Sequence, residues 1–146
     1  MTNIEEKTIL LVEDNGDDEA LMLRALKKNG IANEIIVARD GAEALEYLLG
    51  TGNDPENKIE LPELILLDLK LPKIDGLEVL RRLRADERTQ YVPVVVLTTS
   101  SEQRDIVDSY DLGANSYVTK PVDFNEFMEA TRQLGTYWLL LNRTAS

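Results

Sequence analysis

Three uninterrupted apolar runs constrain this chain more than any other feature: Ile9-Leu10-Leu11-Val12, Leu64-Ile65-Leu66-Leu67 and Pro93-Val94-Val95-Val96-Leu97. A strand with one wet face alternates polar and apolar residues. These runs do not, so each must be covered on both faces, as in a parallel sheet. Two weaker strands are expected at Glu34–Ala38 and Asn115–Val118. Helical stripes separate the strands. Leu21, Met22, Ala25 and Leu26 share a face, with Asn29-Gly30 as a stop. Ala42, Ala44, Leu45 and Leu48 form a second stripe before Gly50, and Leu77, Leu80 and Leu83 form a third. Ser100 to Gln103 reads as a capping box for a fourth helix carrying Ile106, Val107 and Tyr110, with Gly113 closing it. Asp123 and Glu126 read as the cap of a fifth, with Val122 and Phe127 at staple spacing.

Strand and helix thus alternate five times. That predicts an α/β fold: a doubly wound, five-stranded parallel sheet with right-handed crossovers and five helices spread over both faces. A length of 146 residues suits a single domain over 1–146. Its core is expected over about 8–141, with a polar loop inserted over about 51–62 and a long C-terminal helix over about 123–142.

Composition removes several function classes. The net charge is −11, from 16 Lys and Arg against 27 Asp and Glu, which opposes binding to nucleic acid or to anionic membranes. There is no Cys and no His. Disulfides, thiolate nucleophiles, serine-hydrolase triads and His-ligated zinc are thereby excluded. No stretch reads as a signal peptide or reaches membrane-spanning length, which points to the cytoplasm.

In doubly wound sheets, ligands bind beyond the carboxyl ends of the strands. Glu13 and Asp14 follow the first apolar run, Asp68 the second and Thr98, Thr99 and Ser100 the third, while Lys120 follows the fifth strand. Carboxylates gathered at one edge repel by roughly 1–4 kcal/mol per pair at 4 Å, which invites a cation. Lys120 offsets one charge. A hard divalent ion with oxygen ligands, Mg²⁺ or Mn²⁺, suits the rest. A carboxylate beside such an ion, a lysine and a hydroxyl can attack a phosphoryl group.

Glu13-Asp14, Asp68-x-x-x-Pro72-x-x-Asp75-Gly76, Thr98 and Lys120-Pro121, in this order, resemble the signature of response-regulator receiver domains. The resemblance runs from about Thr8 to Leu141. The stretches Leu97–Ser100, Ser109–Gly113 and Tyr137–Leu139 further resemble the small regulators paired with bacterial phytochromes. The resemblance implies a flavodoxin-like strand order of 2-1-3-4-5 and a chain that is a stand-alone regulator rather than an enzyme. Asp68 would be the phosphoacceptor, taking its phosphoryl group from a sensor histidine kinase or a histidine phosphotransfer protein. The resemblance also implies that Asp14 binds the metal directly, Glu13 through water, and Lys70 through its backbone carbonyl. Thr98 and Lys120 would hold the phosphoryl group, Tyr117 would change rotamer with Thr98, and the Lys120-Pro121 bond would be cis. Lys70 and Ser100 occupy the two positions that tune phosphoryl lifetime in this family. The Lys70 ammonium would shield the acyl phosphate from water.

Each residue also has a plainer reading. Asp68 alone could be a turn-forming acid at a strand end, and Glu13-Asp14 a helix entry suited to the positive helix end. The Arg81, Arg82, Arg84 and Arg88 cluster reads as a solvated helix face. Other functions are weighed as follows. A phosphoaspartate-type phosphatase needs an Asp two residues after the first, where this chain has Lys70. A flavodoxin-like flavin binder needs a hydroxyl- and glycine-rich phosphate loop where Glu13-Asp14 stands. A receiver-like interaction module that is never phosphorylated remains the alternative. Tyr137–Leu141 is apolar all round, more than one monomer can bury. Tyr110, Phe127, Tyr137 and Trp138 are therefore expected on a dimer or partner surface built from the fourth helix, fifth strand and fifth helix.

Overall fold

A computed structural model describes residues 8–28, 34–50 and 61–120, together with Asn125, Met128, Glu129 and Arg132. Five strands are present: β1 (Thr8–Val12), β2 (Glu34–Ala38), β3 (Leu64–Leu67), β4 (Val94–Thr98) and β5 (Ser116–Thr119). They form one parallel sheet in the order β2-β1-β3-β4-β5. Four helices connect them among the described residues: α1 (Gly16–Lys28), α2 (Gly41–Leu49), α3 (Gly76–Ala85) and α4 (Gln103–Asp111). The expected fifth helix lies largely outside the described residues, although Asn125, Met128, Glu129 and Arg132 are helical. Residues 51–60 of the inserted loop, the Asn29-Gly30 stop and Pro121 of the Lys120-Pro121 bond also fall outside them.

The apolar runs become the three central strands because only those positions bury both faces. β1 and β3 pair Leu10 with Ile65 and Val12 with Leu67, and the side chains alternate in direction. Leu10, Val12, Ile65, Leu67, Val94 and Val96 point into one core, which α2 and α3 cover with Leu45, Leu48, Val79, Leu80 and Leu83. Ile9, Leu11, Leu64, Leu66, Val95 and Leu97 point into the other, covered by Met22, Ala25 and Leu26 of α1. Met128 packs on this second core, which places part of the C-terminal segment against it. Each fully buried Leu or Val contributes roughly 1.5–3 kcal/mol relative to exposure. The strands expected to be weaker are the sheet edges, β2 and β5, where most residues are half-buried. β5 starts at Ser116 rather than Asn115, which bonds Val94 twice, its N–H donating to the Val94 carbonyl at 2.8 Å and its side chain accepting from Val94 N–H at 2.9 Å.

Two helix starts follow their caps. Asp40 accepts from Glu43 N–H at 2.7 Å and Asp75 from Glu78 N–H at 2.9 Å. The fourth does not match its expected capping box. The residue before α4 is Glu102, whose side chain makes no cap bond, and Ser100 bonds Asp105 instead of the Gln103 N–H. Val107 and Tyr110 are both exposed, and Ser109 is the fully buried residue of α4. At the opposite end of the sheet from the strands' carboxyl ends, Arg84 ties several turns together. It donates to the carbonyls of Thr89, Gln90, Val92 and Gly113 and to the Asn115 side chain, at 2.8–3.2 Å. Gly113 has φ +102°, and a Cβ there would stand 2.8 Å from Arg84 Nε. Among the described residues, no helix is long and apolar enough to cross a membrane.

Candidate functional site

Register alone brings the acids together. Val12 lies opposite Leu67, and Leu67 opposite Val96, so β1 and β3 end side by side and β4 runs two residues further to Thr98. The ladder continues one step past the strands: Asp68 N–H donates to the Val12 carbonyl at 3.1 Å, and Lys120 N–H to the Thr98 carbonyl at 2.7 Å. One carboxylate oxygen from each of Glu13, Asp14 and Asp68 then lies within 4.8 Å of the others. Glu13 is fully buried and Asp68 nearly so, whereas Asp14 faces solvent.

A single ammonium holds this rim. Lys120 Nζ, itself buried, binds the carboxylate of Glu13, that of Asp18 at 2.9 Å and that of Asp68 at 3.1 Å. Burial acts to lower the Lys120 pKa, but hydrogen bonds to Glu13 and Asp18 and the charge of Asp68 outweigh it and hold the pKa above the ordinary lysine range. Glu13 shows the opposite balance. Burial pushes its carboxyl up to about 7, Lys120 pulls it back, and the negative charge of Asp68 adds to the rise. Three carboxylates around one ammonium, with Asp14 beside them, leave an excess of negative charge on hard oxygen donors. The buried Glu13 and Asp68 and the open Asp14 are of the type and convergence that suit Mg²⁺ or Mn²⁺.

The other expected residues surround Asp68. Thr98 is fully buried, and its hydroxyl oxygen accepts from Ser100 N–H at 3.4 Å. Tyr117 lies across the end of β4 with its hydroxyl donating to the Ser100 carbonyl at 2.7 Å, while its own N–H donates to the Tyr110 hydroxyl oxygen at 3.1 Å. Lys70 contributes its backbone to Asp68, N–H to Oδ1 at 3.2 Å, but its ammonium points elsewhere and stands 3.9 Å from Asp105. Tyr110 is half-exposed on α4. Phe127, Tyr137 and Trp138 lie outside the described residues.

The segment after Asp68 is held tightly against it. A Cβ on Gly76 would lie 2.3 Å from the Asp68 carbonyl oxygen, so α3 can start this close to the strand end only with glycine there. Lys73, at φ 67°, occupies the left-handed region and pairs with Asp40 at 3.4 Å.

Sequence reasoning missed two acids, Asp18 and Asp105. Both sit in first helical turns, where an acid ordinarily answers the helix dipole. That role hides a second one, because the contact with Lys120 spans 102 residues and leaves no spacing to read.

The response regulator receiver domain family matches residues 9–132. The chain is 42% identical over 137 residues to the probable methanogenesis regulatory protein FilR2 of Methanothrix harundinacea, covering 93% of this chain and 86% of that protein. It is 41% identical over 133 residues to the response regulator Rcp1 of Synechocystis sp., covering 91% and 89%. The solved Mn²⁺-bound form of Rcp1 superposes with a TM-score of 0.80, covering 91% of this chain and 94% of that one at 41% identity. The solved phosphorylated cyanobacterial phytochrome response regulator RcpA superposes with a TM-score of 0.82 at 41% identity, covering 92% and 94%.

Proposed function

The chain belongs to the response regulator receiver domain family, and from that premise we propose that it accepts a phosphoryl group on Asp68 and signals by a conformational change read by protein contact. The family interacts with histidine kinases. This chain carries no His, so the donor phosphohistidine lies on a kinase or phosphotransfer partner. By likeness to RcpA, a phytochrome-type sensor is the proposed kinase. In this reading residues 8–141 form one receiver unit, acting in the cytoplasm.

The observation that carries the proposal is the meeting of Lys120 with Asp68 and Glu13, beside Thr98, at one end of four adjacent strands. An Asp68 carboxylate oxygen forms the new bond to phosphorus, and the P–N bond to the donor imidazole breaks with its electron pair leaving on nitrogen. Lys120 moves from carboxylate to a phosphoryl oxygen, and the Thr98 hydroxyl donates to another. Glu13, Asp14, Asp68 and the Lys70 carbonyl would hold Mg²⁺ or Mn²⁺, which when bound neutralises phosphoryl oxygens. Tyr117 follows Thr98 through the Ser100 segment it already contacts. The chain is a substrate of its kinase and promotes its own transfer and slow hydrolysis; it is not otherwise an enzyme. The face of α4 and β5, with Val107 and Tyr110 exposed, is the proposed partner or homodimer surface.

Incubation with a small acyl phosphate and Mg²⁺, followed by intact mass, tests the reading. Wild type gains one phosphoryl group and Asp68→Asn gains none. Absence of any gain on wild type, together with none from a histidine kinase, favours the unphosphorylated interaction module.

A further inference from the structure

The two positions expected to tune phosphoryl lifetime, Lys70 and Ser100, come from different loops. They meet at one atom. The Ser100 hydroxyl donates to Asp105 Oδ2 at 2.6 Å, and the Lys70 ammonium stands 3.9 Å from the same oxygen. Asp105 lies in the first turn of α4 and its side chain is largely buried, at 14% exposed, while that of Lys70 is 68% exposed. The partners differ in how firmly they are held. Ser100 is anchored through its carbonyl by the Tyr117 hydroxyl, whereas Lys70 swings on a flexible stem. A fixed carboxylate therefore competes with the phosphorylated Asp68 for a mobile ammonium.

We propose that Asp105 is a positioning residue that draws the Lys70 ammonium away from the phosphoryl group and so shortens its lifetime. The proposal rests on Asp68 being the phosphoacceptor. With Lys70 held at Asp105, water reaches phosphorus along the line opposite the Asp68 oxygen. When the Asp105 charge is removed, the ammonium settles on the phosphoryl oxygens, shields them and obstructs that line. The new bond in hydrolysis is water oxygen to phosphorus, the broken bond is phosphorus to the Asp68 oxygen, and the water proton leaves with the inorganic phosphate or to solvent.

The experiment phosphorylates wild type, Asp105→Asn, Lys70→Ala and the double variant with acetyl phosphate and Mg²⁺, removes the donor and follows loss of the phosphoryl group by intact mass. Asp105→Asn is expected to slow the loss roughly two- to fivefold, the range an exposed ion pair supports. In the Lys70→Ala background, Asp105→Asn is expected to change nothing. That dependence on Lys70 separates positioning from a merely structural role in α4. Asp105→Ser, whose side chain also suits a first helical turn, gives the same readout if the amide variant does not fold. Equal lifetimes in wild type and Asp105→Asn overturn the assignment, as does slowing of equal size with and without Lys70. Failure of every protein to gain a phosphoryl group, from acetyl phosphate and from a histidine kinase alike, overturns the phosphoacceptor reading itself, and this inference with it.

Discussion

The molecule holds two clusters of carboxylates and cations whose chemistry runs in opposite directions. At the carboxyl ends of the strands, Glu13, Asp18 and Asp68 surround a buried Lys120. On the outer face of α3, Glu78 bonds Arg81 and Arg82 in open solvent. In the first cluster burial dominates Glu13 and pushes its carboxyl up to about 7. In the second, the hydrogen bonds from Arg81 and then Arg82 dominate and hold Glu78 at about 2. The same pairing of acid and base is a buried, charge-crowded cluster in one place and ordinary surface decoration in the other. Desolvation is the difference, since the cost of removing a charge from water exceeds what one partner returns.

The largest test of that contrast is Lys120→Met in chelated buffer at pH 8. It strands buried carboxylates without a partner and should cost about 3–5 kcal/mol in urea unfolding. The loss should shrink at pH 5, where Glu13 carries a proton. A cost below about 1 kcal/mol at pH 8 would show the buried cluster behaving like a surface one.

Next comes pH itself. The folded-state pKa of Glu13, about 7, lies above its ordinary 4.5, so the folded state binds the extra proton between those values. Its stabilising effect is full below 4.5 and is lost as pH rises through 7. Chelated wild type should therefore lose up to about 3 kcal/mol from this group between pH 5 and pH 8. Glu13→Gln should flatten that slope, which urea midpoints at several pH values would show.

A smaller effect is expected for Asp18→Ala. It removes one of three carboxylates from Lys120 at a half-exposed position, and should cost about 1 kcal/mol. Chemical denaturation at pH 7 would read it.

Glu78→Gln should do least. Glu78 has its pKa depressed, so what it contributes is present above 4.5 and fades as pH falls towards 2, the reverse of Glu13. The group is exposed, so 1 M salt should erase any shift in the urea midpoint. A shift that survives high salt would break the comparison.

The central strands were legible because an apolar run such as Val94-Val95-Val96-Leu97 has few other places to go. The strand ends were legible for the same reason, and with them Glu13, Asp68 and Thr98. The α4 region was misread. Ser100 and Gln103 have the spacing of a capping box, but a tertiary contact with Asp105 displaced the local one. The apolar Val107 is exposed on α4, and the position packed inward there is Ser109, a polar residue that no apolar pattern marks. Asp18 was invisible because its partner, Lys120, is chosen by the fold and not by sequence spacing.

Arg84 fastens the end of α4 to its neighbours. Four backbone carbonyls and an amide oxygen bolt the turn after the helix to the end of α3 and the start of β4. The other end, about 13 Å away for nine residues, is moored by Ser100 to Asp105. The turn after α4 is thus held by five hydrogen bonds from one guanidinium, while the start of the helix is held through the Ser100 hydroxyl.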